Sequence, residues 1–168
     1  MKLQIEKWER WFLYATVVML VAFFVAILGS IGEAGIHLPT DEDQVDPQAF
    51  TDPDIPIPAP FDNVGVFEAA PDADDDVDLT AVVLAQAWSF NPQTIEVPKG
   101  STVEFVVTST DTIHGFLIAD VAVNAMVIPG QITKVKATFD DAGTYNVICH
   151  EFCGLLHHNM FGIVEVTE

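Results

Sequence analysis

Between Cys149 and Met160 the chain reads Cys-His-Glu-Phe-Cys-Gly-Leu-Leu-His-His-Asn-Met, which gathers two thiols, imidazoles and a thioether in one short loop. Thiolate and thioether donors select copper, zinc or iron–sulfur centres, and a Met in the set disfavours zinc because a neutral thioether offers a borderline dication little. Copper is therefore the expected metal. Upstream, Ser109-Thr-Asp-Thr-Ile-His114-Gly-Phe places a further imidazole after a β-rich run, where sheet pairing can bring it beside the loop.

Several other readings fit part of this donor set. In an exported domain Cys149 and Cys153 could form a disulfide, but a short loop restricts the unfolded chain least, and the His and Met residues are left unexplained. A tetrahedral Cys2His2 zinc site leaves Met160 without a role. A mononuclear blue-copper site of Cys153, His157, His114 and axial Met160 has the right composition but leaves Cys149 over. A thioredoxin-like copper-delivery protein also carries Cys-x3-Cys, yet it needs βαβ helices and a distant His that this chain does not show.

The spacing Cys149-x3-Cys153-x3-His157-x2-Met160, with His114 on an earlier strand, resembles the binuclear CuA site of subunit II of heme-copper cytochrome c oxidases. The likeness extends through Ile-Glu-Val-Pro-Lys-Gly (95–100), Ile-His-Gly-Phe (113–116), Ile-Pro-Gly (128–130) and Asn-Met-Phe-Gly (159–162). The resemblance implies that both thiolates bridge two copper ions, with His114 and Met160 on one, and His157 and the backbone carbonyl of Glu151 on the other. It also implies a cupredoxin-like fold and partnership with the oxidase's catalytic subunit I. The external electron donor would be a cytochrome c or a small blue-copper protein. In relatives the Glu151 carboxylate also reaches a magnesium ion at the subunit border. Trp88, in Gln-Ala-Trp-Ser-Phe-Asn, stands near an aromatic segment that in the family lies at the surface close to the copper pair and serves as the electron entry point. No catalytic residue is expected in this chain, because oxygen chemistry would lie in subunit I.

Other histidines and methionines are expected outside the metal set. His150 lies between the bridging positions and should point out of the loop, His158 should be a contact beside His157, and His37 carries no signal. Met126, in a strand-like run, is expected in the core.

Residues 11–31 form an almost unbroken apolar run, long enough at 1.5 Å per residue to cross a hydrocarbon core of about 30 Å. The run exceeds the usual apolar stretch of a cleaved signal peptide, so a retained anchor over 1–32 is expected. Lys2, Lys7 and Arg10 precede it, which puts the N-terminus in the cytoplasm and the metal domain outside the plasma membrane as a single-pass protein. Glu6 or Glu9 would then lie near the inner face, where B-family relatives place a proton-channel glutamate. The one helix and the short length resemble the B-family type. Residues 33–78 are rich in Pro and acidic clusters such as Asp72-Ala-Asp-Asp-Asp-Val-Asp78, and are expected to be linker.

From 79 to 168 the pattern turns to short β-rich runs broken by Pro98-Lys-Gly, Pro129-Gly and Asp140-Asp-Ala-Gly. Val103, Phe105 and Val107 share one face, as do Tyr145, Val147 and Cys149, which describes half-buried antiparallel strands. Seven such runs predict an all-β sandwich or Greek-key barrel. The net charge is −19, and after Arg10 the only basic residues are Lys99, Lys134 and Lys136. Acids spread this widely suit a halophile's hydrated surface better than one docking face, and nucleic acid is not an expected partner. The expected function is electron acceptance for a membrane terminal oxidase, the alternative a free-standing membrane-anchored blue-copper carrier. No Cys-x-x-Cys-His occurs, so no fused cytochrome c is expected.

Overall fold

The apolar run, free of Pro, lies within α1, the 27-residue helix Lys7–Glu33, in which Ala, Leu and Met are interleaved with the weaker helix formers Val, Phe and Ile. A computed structural model of the chain describes residues 6–33, 44–71 and 73–168. Two units make up the chain, Met1–Leu38 and Pro39–Glu168. The start of α1 is closed by the Glu9 carboxylate, which accepts from the backbone N–H of Glu6 at 2.9 Å. Its apolar side chains point outward on every side, Phe12, Val18, Met19 and Phe23 among them. A helix apolar all round is either deep core or a membrane span. Residues Lys7–Gly29, 23 in number, are long and apolar enough to cross a membrane.

The second unit is built from ten strands among the described residues: β1 (Gly65–Glu68), β2 (Leu79–Gln86), β3 (Ser89–Asn91), β4 (Thr94–Pro98), β5 (Thr102–Ser109), β6 (His114–Ile118), β7 (Val123–Val127), β8 (Thr133–Thr138), β9 (Gly143–Ile148) and β10 (Phe161–Thr167). They form two five-stranded sheets, one ordered β1-β2-β5-β8 with β3 on β2, the other β4-β10-β9-β6-β7. This is the expected all-β sandwich. Pairing of β2 with β5 and of β10 with β4 is parallel, so the connections cross between sheets rather than run as simple hairpins. Ala81, Val83, Val103, Phe105 and Val107 from the first sheet meet Phe116, Ile118, Val147 and Val164 from the second in one core. Aromatic rings tie it together, with Phe116 edge-to-face to Phe90 at 5.6 Å between centres and tilted by 51° against Phe105 at 5.5 Å.

Two expectations change here. Strands β2 and β5 are buried on both faces instead of one, because residues expected as linker cover the outer face of their sheet. Val45 and Phe61, with Phe50 and Val64, pack on Val82, Leu84 and Val106. Val45 N–H donates to Gly130 O at 3.1 Å, and β1 pairs with β2. Farther along, Lys136 reaches Asp74 at 2.7 Å and Asp76 at 3.0 Å. Proline and acid content thus marks a segment that cannot join a sheet interior, yet its scattered apolar side chains still bury. Met126 is also displaced from expectation: it lies 47% exposed on β7, an edge strand. His37 lies outside the described residues.

Candidate metal centre

The loop from Cys149 to Met160 joins β9 to β10, and the pairing of those strands, Phe161 opposite Ile148, brings its two ends together. Cys149 N–H donates to Met160 O at 3.3 Å. Within the loop a single 3-10 turn, His157–Asn159, lifts the imidazole of His157 toward Cys153. On the other side, β6 pairs with β9 with Leu117 opposite Ile148, so β6's first residue, His114, is carried to the mouth of the loop. Close approach there requires glycine: a Cβ on Gly115 would lie 2.6 Å from the ring and backbone of His150.

The donor atoms converge. Cys149 Sγ lies 3.7 Å from Cys153 Sγ, 3.9 Å from His114 Nδ1 and 3.2 Å from the Glu151 carbonyl oxygen. Cys153 Sγ lies 3.5 Å from His157 Nδ1 and 3.6 Å from Met160 Sδ. Each of these gaps is shorter than two metal–thiolate bonds of about 2.3 Å, so adjacent donors can share an ion. Each set proposed for one copper takes a terminal donor from beside each thiol: His114 with Met160, and Glu151 O with His157. Cys149 and Cys153 are free thiols, and His114, Cys149, Cys153 and Met160 are all buried. A thioether, two thiols and two imidazole nitrogens suit copper.

Burial, together with the neighbouring Cys149 thiol, pushes the Cys153 thiol up to about 11. The metal-free site therefore holds a proton on Cys153 that metal binding must release. Gly115 N–H points at Cys149 Sγ from 3.5 Å, a donor suited to a thiolate.

One residue that sequence reasoning passed over, Asp111, closes the site from behind. Its Oδ1 accepts from His114 Nε2 at 2.8 Å and from Thr112 N–H at 2.7 Å, while Oδ2 accepts from Ala87 N–H at 2.5 Å. Burial alone would raise this carboxyl, but the bonds from His114, Ala87 and Thr112 outweigh it and hold it below the ordinary carboxylate range. The available signal was an Asp three positions before a His at a strand start.

Trp88, 37% exposed, stands beside the loop. A Cβ added to Gly154 would lie 3.2 Å from its Nε1, and Gly154 itself has φ of 119°, so glycine serves both the turn and the indole. Phe152 and Leu155 project from the loop at 80% and 88% exposure. His150 is seated over Gly115 with Nδ1 3.5 Å from a Glu151 carboxylate oxygen, and His158 is exposed.

Residues 78–167 match the family described as cytochrome C oxidase subunit II, periplasmic domain. The chain is 45% identical over 89 residues to cytochrome c oxidase subunit 2 of Thermus thermophilus, covering 53% of this chain and 66% of that protein. A second such protein, from a named strain of the same species, matches at 45% with 53% of its length covered. The chain thus spans between half and two thirds of these relatives. Heme-copper oxidase subunit 2 of Aeropyrum pernix is 27% identical over 124 residues, covering 67% of this chain and 53% of its own. Among solved structures, a chain of a heme-copper terminal oxidase dimer superposes with a TM-score of 0.59 at 30% identity, covering 96% of this chain and 100% of that one. The periplasmic domain of subunit II of cytochrome oxidase from Bradyrhizobium japonicum shares the fold, with a TM-score of 0.52 at 22% identity over 55% of this chain and 86% of that one.

Proposed function

This chain belongs to the cytochrome c oxidase subunit II family, and on that premise we propose that it receives electrons for a membrane-bound terminal oxidase. The observation that carries the proposal is the convergence of two free thiols, two imidazole nitrogens, a thioether and a carbonyl within successive gaps of 3.2–3.9 Å. His114, Cys149, Glu151 O, Cys153, His157 and Met160 would hold a binuclear copper centre. When bound, the copper pair supplies one-electron storage that no side chain here offers. The protein's part is to present deprotonated thiols, to keep water away through burial, and to hold the donors on a sandwich that need not rearrange. A mononuclear blue-copper carrier is the poorer fit, since Cys149 faces the same space as Cys153.

Electrons would come from an external cytochrome c or small blue-copper protein and pass to heme in catalytic subunit I. Trp88 is proposed as their point of arrival, and the Glu151 carboxylate as a magnesium ligand at the subunit border. Residues 1–32 would anchor the chain in the plasma membrane, with the N-terminus cytoplasmic and the copper domain outside; Lys7 and Arg10 at the start of α1 support that orientation. The Glu9 carboxylate is engaged as a helix cap, which supports a structural role for it over a proton-channel one. The wide spread of acidic residues supports a high-salt habitat.

Membranes carrying Cys149→Ser in place of the parent chain test this directly. The subunit should assemble, while oxygen uptake driven by the external donor should fall to background. Uptake at the parent rate would refute the proposal.

A further inference from the structure

We propose that Asp111 is a positioning residue that serves His114 and the Trp88 turn together, aiming the imidazole at the thiols and holding the indole over the ligand loop. The inference rests on reading the donor cluster as a copper site. An ionised carboxylate only accepts hydrogen bonds. Its 2.8 Å bond to His114 Nε2 therefore puts the ring proton on that nitrogen and leaves the Nδ1 lone pair facing Cys149. His114 is 0% exposed, so no solvent competes for Nε2.

The second oxygen is spent on a different segment. Ala87 N–H donates to it at 2.5 Å, immediately before Trp88, whose φ of 102° is one that a bulky side chain rarely adopts. Such backbone persists only where its surroundings over-determine it, and it clusters at functional sites. Trp88 N–H donates to Gln86 O at 2.7 Å, tightening the same turn, and the indole then rests against Gly154 in the ligand loop. One carboxylate thus joins the β2–β3 turn, the segment entering β6 and, through Trp88, the loop that carries Cys153. Because a carboxylate behind a ligating imidazole makes it a stronger donor, it favours the more positive state of a bound metal. Loss of the charge should make the reduction potential more positive.

The test uses the full chain in detergent as Asp111→Asn and Asp111→Ala, with Asp140→Asn as a control that removes the same charge at an exposed turn. Asparagine keeps the size but cannot accept from both His114 and Ala87 on two oxygens. Histidine-ring nitrogen-15 spectra of the copper-free chain should show a slowly exchanging Nε2–H at His114 in the parent and the control. Asp111→Ala should lose it, and Asp111→Asn, with one acceptor oxygen left for His114 and Ala87 together, should exchange it faster than the parent. On copper titration both Asp111 variants should bind roughly ten- to a hundred-fold more weakly, with a more positive potential and altered hyperfine pattern in the Asn form. Parent-like ring signal, affinity and potential in Asp111→Asn would overturn the proposal, as would equal changes in Asp140→Asn. If Asp111→Ala does not fold, Asp111→Asn decides. A parent chain that binds no copper would defeat the copper reading, and the copper-free ring signal would still judge Asp111.

Discussion

At Trp88 a large aromatic side chain occupies a left-handed backbone conformation, φ 102°, at a cost of order 1–3 kcal/mol. An indole needed only for core packing would not be held this way and left 37% exposed. We predict that Trp88→Ala slows reduction by the native donor by roughly several-fold, since an exposed aromatic beside the site is a short-range docking group. The copper spectrum and melting temperature should stay near the parent's. Stopped-flow reduction with the native donor checks this, and unchanged rates would move the point of arrival elsewhere. The thiols give a second prediction. Burial raises Cys153 from 9.0 in an unfolded chain to about 11 in the fold. The folded state therefore keeps its proton where the unfolded state has lost it. The stabilisation is complete below pH 9 and disappears as pH rises through 11. Denaturant unfolding of the reduced, copper-free chain should show stability falling across that window, and Cys153→Ala should flatten the fall. The convergence of the donors was legible in the sequence because four of the proposed side chains, Cys149, Cys153, His157 and Met160, lie within one loop whose spacing is itself informative. Asp111 was not, since an Asp among Ser and Thr reads equally as a turn residue.

The layer formed by residues 44–64 is the element that sequence patterning misjudged. Val45, Phe50, Phe61 and Val64 are too widely spaced to show a strand or helix period, while the prolines and acids between them read as linker. Their burial becomes visible only when the outer face of β2 and β5, with Val82, Leu84 and Val106, needs a cover. Strands β3 and β4 escaped notice for a simpler reason: three and five residues give alternation little room. The alternation of Val103, Phe105 and Val107 in β5 and of Tyr145 and Val147 in β9 was legible, since those strands run for eight and six residues. Phe61 is 2% exposed and stacks edge-on to Phe50 at 6.2 Å. We predict that Phe61→Ala costs about 3–5 kcal/mol of stability, measured by denaturant unfolding of the full chain, with the copper spectrum of the folded protein unchanged. A loss under about 1 kcal/mol would mean that the layer is not part of the folded core.

Across the whole molecule the dominant feature is the charge of −19. Self-repulsion of that size destabilises a compact state, and molar salt, with a Debye length of about 3 Å, removes most of it. The melting temperature of the copper-loaded chain should therefore fall when salt is lowered from molar to millimolar. A flat curve would remove the high-salt reading and favour an acidic docking face instead. The sandwich, the loop and the family all bear on one central claim, that two bridging thiols hold a pair of coppers. The most direct measurement is copper per chain, read together with the electron paramagnetic resonance spectrum of the full-length protein. The account predicts two coppers sharing one unpaired electron in a delocalised mixed-valence signal; a single copper per chain, with one intense blue absorption band, would contradict it.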